Sequence, residues 1–308
     1  MEARILVPID QCEESRDVIK VADEWAIRTQ AELCFLHVSR RHLAVGENDE
    51  KTLFLQQFER SLKQLNLMQP PYEAYHRFGV AYLEILSTAE RLHPDLIIMD
   101  AHSHTRLGRF FLGSNTDYVL HHCQCPVYVY KQHSREFANT IIVPIDYSEV
   151  NKSVIEQADI WAQRTGAVLY FIHTEPVSEY EEEDYAIKPD SFPEGNDLNW
   201  QEIRQRAKES RIADLHRTFE NYIASCEVKS EYRPVFEFGK PYLKIQELQQ
   251  ETNAGLIMMA AHSHTLLNRL FVGSNTDYLL NHAPCPMYVY KENHYQSAGN
   301  EVKRVEAA

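Results

Sequence analysis

Asp10 and Asp146 close two nearly identical apolar runs, Ile5-Leu-Val-Pro-Ile-Asp10 and Ile141-Ile-Val-Pro-Ile-Asp146. A carboxylate just past a buried strand stands where open α/β sheets bind their ligands. There it closes the next turn or touches the ligand. Met99-Asp-Ala-His-Ser-His-Thr105 recurs as Met259-Ala-Ala-His-Ser-His-Thr265. Gly113-Ser-Asn-Thr116 and Gly273-Ser-Asn-Thr276 follow them. A helix opening at such a point turns unpaired N–H groups and its positive dipole end toward an anion. Ser114, Thr116, Ser274 and Thr276 add hydroxyl donors. Taken alone, Ser114 and Ser274 read first as helix N-caps.

Two other chemistries are weighed. His102-x-His104 and His262-x-His264 occupy equal places in the two segments, with His121, His122 and His282 in the helices that follow and Cys125 and Cys285 just after. Imidazole and thiolate are good zinc ligands. Metal binding through the His-x-His loops is thus an alternative function, behind loop residues that bond locally, and no metal ligand is assigned. The chain has no G-x-S-x-G elbow and no Walker A sequence. No catalytic residue is assigned, and weak ATP hydrolysis is the most enzymatic activity expected.

The elements that must position these residues come in two sets. The offset from Ile5 to Ile141 is 136 residues, and Trp25-Ala-Ile-Arg-Thr returns as Trp161-Ala-Gln-Arg-Thr at the same distance. Leu96–Lys131 aligns without gaps to Leu256–Lys291, with most positions identical. A period this long is a domain duplication rather than a solenoid. The expected domains are 1–134 and 135–292, the second with an acidic insert at about 178–199, followed by a flexible tail at 293–308. Within each copy, short runs rich in branched residues alternate with amphipathic stretches. In the first copy the strands are Ile5–Ile9, Leu33–Val38, Tyr72–Phe78, Leu96–Met99 and Val127–Tyr130. The helices are Glu13–Thr29, Lys51–Leu67, Ala81–Arg91 and Ser114–His122. Val18, Ala22, Trp25 and Ala26 share one helical face. Alternation of this kind predicts a parallel sheet covered on both faces. The last strands, Tyr128-Val-Tyr130 and Tyr288-Val-Tyr290, read as edges open to pairing with another sheet. The plainer reading packs one face and leaves the tyrosine hydroxyls in water.

Composition narrows the partners. A formal net charge of -14 argues against a sequence-independent grip on nucleic acid and against a polybasic membrane contact. No apolar run has the ~18 residues of a membrane span, and the N-terminus lacks a signal-peptide pattern. The six cysteines form no C-x-x-C pair and read as reduced, mostly buried thiols, which fits a cytoplasmic location.

A strand ending Val-Pro-Ile-Asp, a Met-x-x-His-x loop, Gly-Ser opening a helix, and then Cys-Pro-Val-Tyr-Val together resemble the universal stress protein family. The resemblance covers both copies. It implies two tandem five-stranded parallel-sheet domains, Rossmann-like and akin to adenine nucleotide alpha hydrolases, that form an internal pseudo-dimer through their last strands. A homodimer and a protein partner are further expectations. It also implies a stress-response regulatory protein that binds ATP, or another adenine nucleotide, with Mg. The nucleotide-binding branch of the family carries Gly-x2-Gly-x9-Gly-Ser/Thr. Here its first two glycines fall on Asp100 and Ser103 in the first copy and on Ala260 and Ser263 in the second. Ala260 and Ser263 add little bulk, whereas Asp100 sets a carboxylate against the phosphates. The residues implied around a nucleotide in the favoured second copy are Asp146, Thr174, Met259, Ser263, Gly273, Ser274 and Thr276. The less favoured first-copy set is Asp10, Val38, Met99, Ser103, Gly113, Ser114 and Thr116. The alternative is a ligand-free interaction scaffold with degenerate nucleotide sites.

Overall fold

The computed structural model describes residues 3–10, 15–40, 47–65, 72–101, 112–131, 139–176, 200–261 and 272–292. The His-x-His loops, Ser103, Ser263, the acidic insert and the tail lie outside them. Strands and helices alternate as expected, with eight helices among the described residues. The chain forms two compact units, Met1–Glu136 with Leu256–Ala308, and Phe137–Gly255. The compact units therefore divide the chain differently from the sequence repeat: the end of the second copy counts with the first.

In the larger unit the strands are β1 (Arg4–Ile9), β2 (Glu32–Ser39), β3 (Tyr72–Phe78), β4 (Leu96–Asp100), β5 (Val127–Tyr130), β9 (Leu256–Ala260) and β10 (Met287–Tyr290). Their order is β3-β2-β1-β4-β5-β10-β9. Strand order reverses between β1 and β4, so the crevice beyond their carboxyl ends is a switch point. The pairs are parallel except β5 with β10, which run antiparallel with Tyr128 opposite Tyr288. The edge-pairing reading of the last strands is therefore borne out. Both rings are buried, so the picture of hydroxyls in water is corrected. Trp25, on α1 (Arg16–Thr29), packs edge-on to Tyr128 at 5.3 Å and stacks on Tyr288 at 5.9 Å.

Two buried lysines follow these strands. Lys131 Nζ donates to the carbonyls of Leu279 and Ala283 at 3.1 and 2.7 Å, at the end of the helix Ser274–His282. Lys291 Nζ donates to the Leu120 carbonyl and lies 3.4 Å from that of Cys123, at the end of α4 (Ser114–His122). Each copy thus supplies a cation to the negative helix end of the other. Desolvation makes the arrangement costly, and burial pushes Lys131 down to about 8.

The smaller unit pairs β6 (Thr140–Pro144), β7 (Val168–Glu175) and β8 (Tyr232–Phe238) in parallel. Its helices are α5 (Glu149–Thr165), α6 (Trp200–Ser225) and α7 (Pro241–Thr252). Ser148 caps α5, its hydroxyl accepting from the Asn151 amide at 3.2 Å. Gly166 ends it at φ 73°, a left-handed conformation that glycine adopts without strain. Cys34, Cys123, Cys125 and Cys285 are buried, and none of these or Cys226 is in a disulfide.

Candidate functional site

The carboxyl ends of β1, β2 and β4 open into a crevice of about 1790 Å³. Asp10, Val38, Met99, Gly113, Ser114 and Thr116 all line it. The strands run parallel and in register, which brings their last residues to one edge. Six of the seven residues expected in the first copy therefore meet, and the seventh, Ser103, lies outside the described residues.

The helix N-caps are Gly113 and, ahead of α8 (Ser274–His282), Gly273, which corrects the N-cap reading of Ser114 and Ser274. Both serines occupy the first helical position and are exposed. The first intrahelical bond of α4 runs from the Asp117 amide to the Gly113 carbonyl at 2.9 Å. The amides of Ser114, Asn115 and Thr116 precede it and have no intrahelical acceptor. Thr116 is buried, and its hydroxyl donates to the Asp100 carbonyl at 2.7 Å, tying helix to strand end. Thr276 repeats that bond to Ala260 at 3.5 Å. Asp100 itself lines the crevice with Asp10 and Glu50, while Arg40 and Arg60 supply opposite charge.

The second-copy residues divide between the compact units. Met259, Gly273, Ser274 and Thr276 belong to the larger, Asp146 and Thr174 to the smaller. Asp146 closes its turn: its Oδ1 accepts from the Ser148 amide at 3.0 Å and the Ser148 hydroxyl at 2.7 Å. The next residue, Tyr147, sits at φ 60° with its ring 4.4 Å from that of His173.

The helix histidines are used locally. His121, His122 and His282 each donate from Nδ1 to the carbonyl four residues earlier, at 2.7–2.8 Å. A metal-like cluster not foreseen from sequence joins Glu32, Cys34 and Glu73, whose ligand atoms lie within 4.8 Å of one another. Arg4 holds Glu32 at 3.1 Å, and Tyr75 donates to Glu73. Burial pushes the Cys34 thiol up to about 12, so it stands as a neutral thiol rather than the thiolate a metal would need.

Sequence reading also missed a polar chain on the crevice wall. Ser39 Oγ lies 3.2 Å from His37 Nε2 and 3.0 Å from His76 Nε2. Ser39 two residues after His37 was a legible signal, because alternate strand residues share a face. His76 joins only through the register that sets it opposite His37.

Comparison with known proteins agrees with this architecture. The model of the universal stress protein family matches residues 1–131 and again 138–291. Universal stress protein E of Photorhabdus laumondii is 21% identical over 211 residues, 66% of this chain and 63% of that relative's length. Universal stress protein A homolog 1 of Coxiella burnetii is 29% identical over 133 residues, 40% of this chain and 92% of its own. A universal stress protein structure from Archaeoglobus fulgidus superposes with a TM-score of 0.65 at 19% identity, covering 94% of this chain and 98% of the other. A functionally unknown protein from Pseudomonas aeruginosa reaches 0.70 at 17%, covering 98% and 96%. At these identities the structures speak for the fold alone. With its family model matched twice over nearly the whole length, the chain belongs to the universal stress protein family and carries two such domains in tandem.

Proposed function

We propose that this universal stress protein is a regulatory binding protein whose ligand is an adenine nucleotide, taken with Mg2+. One observation carries the reading: Asp10, Val38, Met99, Gly113, Ser114 and Thr116 line a single crevice beside a helix N-terminus. The crevice offers what a nucleotide needs, a carboxylate acceptor for the nucleoside and the amides of a helix N-terminus for a phosphate. Asp100 opposes phosphate in the first copy, and the second copy has Ala260 at the equivalent position. On residue types, the second-copy set of Asp146, Thr174, Met259, Ser263, Gly273, Ser274 and Thr276 is the better phosphate binder. The domains are 1–134 and 135–292, and the ligand acts by occupancy, biasing the loop after β4 or β9 and so the contacts with a protein partner.

Calorimetric titration of the full chain with Mg-ATP tests this. One nucleotide per chain is expected, lost in Ala260→Asp, which places a carboxylate where the first copy has one. No heat and no thermal shift would overturn the reading. The second reading, a ligand-free scaffold, would then stand. It is favoured by the Asp100 carboxylate on the crevice wall.

A further inference from the structure

The hydrogen bonds around Ser39 have one consistent direction. His37 Nδ1 lies 3.1 Å from the Ile9 carbonyl oxygen, which can only accept, so Nδ1 carries the proton and Nε2 the lone pair of the neutral ring. The single hydroxyl proton of Ser39 therefore goes to His37 Nε2. His76 Nε2 must then be the protonated nitrogen, donating to Ser39 Oγ. That leaves His76 Nδ1 as a bare acceptor, in keeping with its having no partner among the described residues. His76 is only 7% exposed, and burial, with His37 adding to it, lowers its pKa and keeps it neutral. The Phe54 ring stacks on His37 at 4.7 Å and 12°, holding the imidazole plane. All three residues stand on strand ends that line the crevice. The second copy lacks the arrangement. Glu175 and Phe236 replace Ser39 and His76, and His173 Nε2 pairs with Glu175 at 3.0 Å instead.

We propose that Ser39 is the nucleophile of a second activity, hydrolysis of a carboxylic ester bound in the first-copy crevice, with His37 as general base and His76 as oxyanion donor. Ser39 Oγ attacks the ester carbonyl carbon, the Oγ–C bond forms, and the carbonyl π pair moves onto oxygen. The hydroxyl proton passes to His37 Nε2. The His76 Nε2–H, already at Oγ, is close enough to turn to the new oxyanion. Collapse breaks the bond to the alcohol oxygen, which leaves with the proton from His37. Water then attacks the acyl-serine by the same route, giving the free acid and restoring Ser39. The net reaction consumes one ester and one water and needs no redox partner. Leu53 and Val80, half exposed at the crevice, offer apolar contact to an acyl chain. The proposal does not depend on nucleotide binding.

The test is intact-mass labelling of the full chain with a fluorophosphonate probe, peptide mapping, and p-nitrophenyl butyrate hydrolysis. One adduct per chain on Ser39 is expected. It should be absent in Ser39→Ala and unchanged in Ser225→Ala, a surface serine on α6. Labelling should slow at least tenfold in His37→Gln. Ester hydrolysis should fall at least tenfold in His76→Phe, the residue the second copy carries, with melting temperatures confirming folded variants. No adduct on wild-type protein, or an adduct mapped to any other residue, overturns the proposal. Mapping on the wild type decides the matter even where a variant fails to fold.

Discussion

At the scale of single residues, the same chemistry is used in different ways in the two copies. Asp146 spends its carboxylate on the turn at Ser148, whereas Asp10 lines a crevice and its amide donates to Ser15 Oγ at 3.2 Å. On the proposed nucleotide reading, Asp100 in the crevice lining sets a carboxylate against the phosphates. Asp100→Gly should tighten Mg-ATP binding in the first copy by about tenfold, roughly 1.4 kcal/mol, seen by titration as a second bound nucleotide per chain. An unchanged stoichiometry would show that Asp100 is not the obstacle. Thr116 is a different case, since its hydroxyl already serves the fold. Thr116→Val removes that hydrogen bond and should lower stability by about 1 kcal/mol, read as a lower melting temperature. The types and spacing of these residues were plain in the sequence. Which hydroxyl bonds the backbone and which stays exposed was not, because that depends on the distance between a strand end and a helix start.

Elements were largely legible. The strand Tyr72–Phe78, the helix Ser114–His122 and the strand Val127–Tyr130 lie where the patterning put them. Buried strands are bounded by abrupt changes in polarity, and α1 shows its buried face at helical spacing. Ends were less clear. The polar helix expected at Lys51–Leu67 runs Glu47–Leu65, because a solvated helix has little apolar contrast to mark its limits. Caps decide such ends, and α5 shows both kinds. Ser148→Ala removes an accepted hydrogen bond and should cost about 1 kcal/mol. Gly166→Ala should cost a similar amount, about 1 kcal/mol, through backbone conformation alone, since an added Cβ there meets no atom within 4 Å. Denaturant melts of the two variants check both values. A neutral Gly166→Ala would mean the left-handed cap relaxes.

Across the larger unit, the antiparallel β5–β10 pair, the Trp25 stack and the crossed lysines form one buried assembly. Its electrostatics make a pH-dependent prediction. Burial lowers Lys131 from 10.5 to about 8, so the folded chain releases this proton at lower pH than the unfolded chain. Stability rises with pH wherever the unfolded state binds more protons. The cost of the buried charge is therefore fully present below about 8 and is relieved between about 8 and 10.5. Lys131→Met has no such charge. The melting temperature of wild type relative to this variant should climb as pH rises through that window. A constant difference would place the Lys131 pKa at its ordinary value.

The sequence by itself determined the duplication, the α/β alternation, the family and the residue types gathered at the strand ends. All of these are written in local periodicity or in repeated strings, and neither needs a third dimension to be read. Tertiary structure alone decided which residues meet. His76 reaches Ser39 because β3 pairs with β2 in one particular register. Lys131 and Lys291 reach helix ends about 150 to 170 residues away because β5 pairs with β10. Contacts between distant segments depend on register and strand order, and the continuous apolar runs of strands buried on both faces specify neither by themselves.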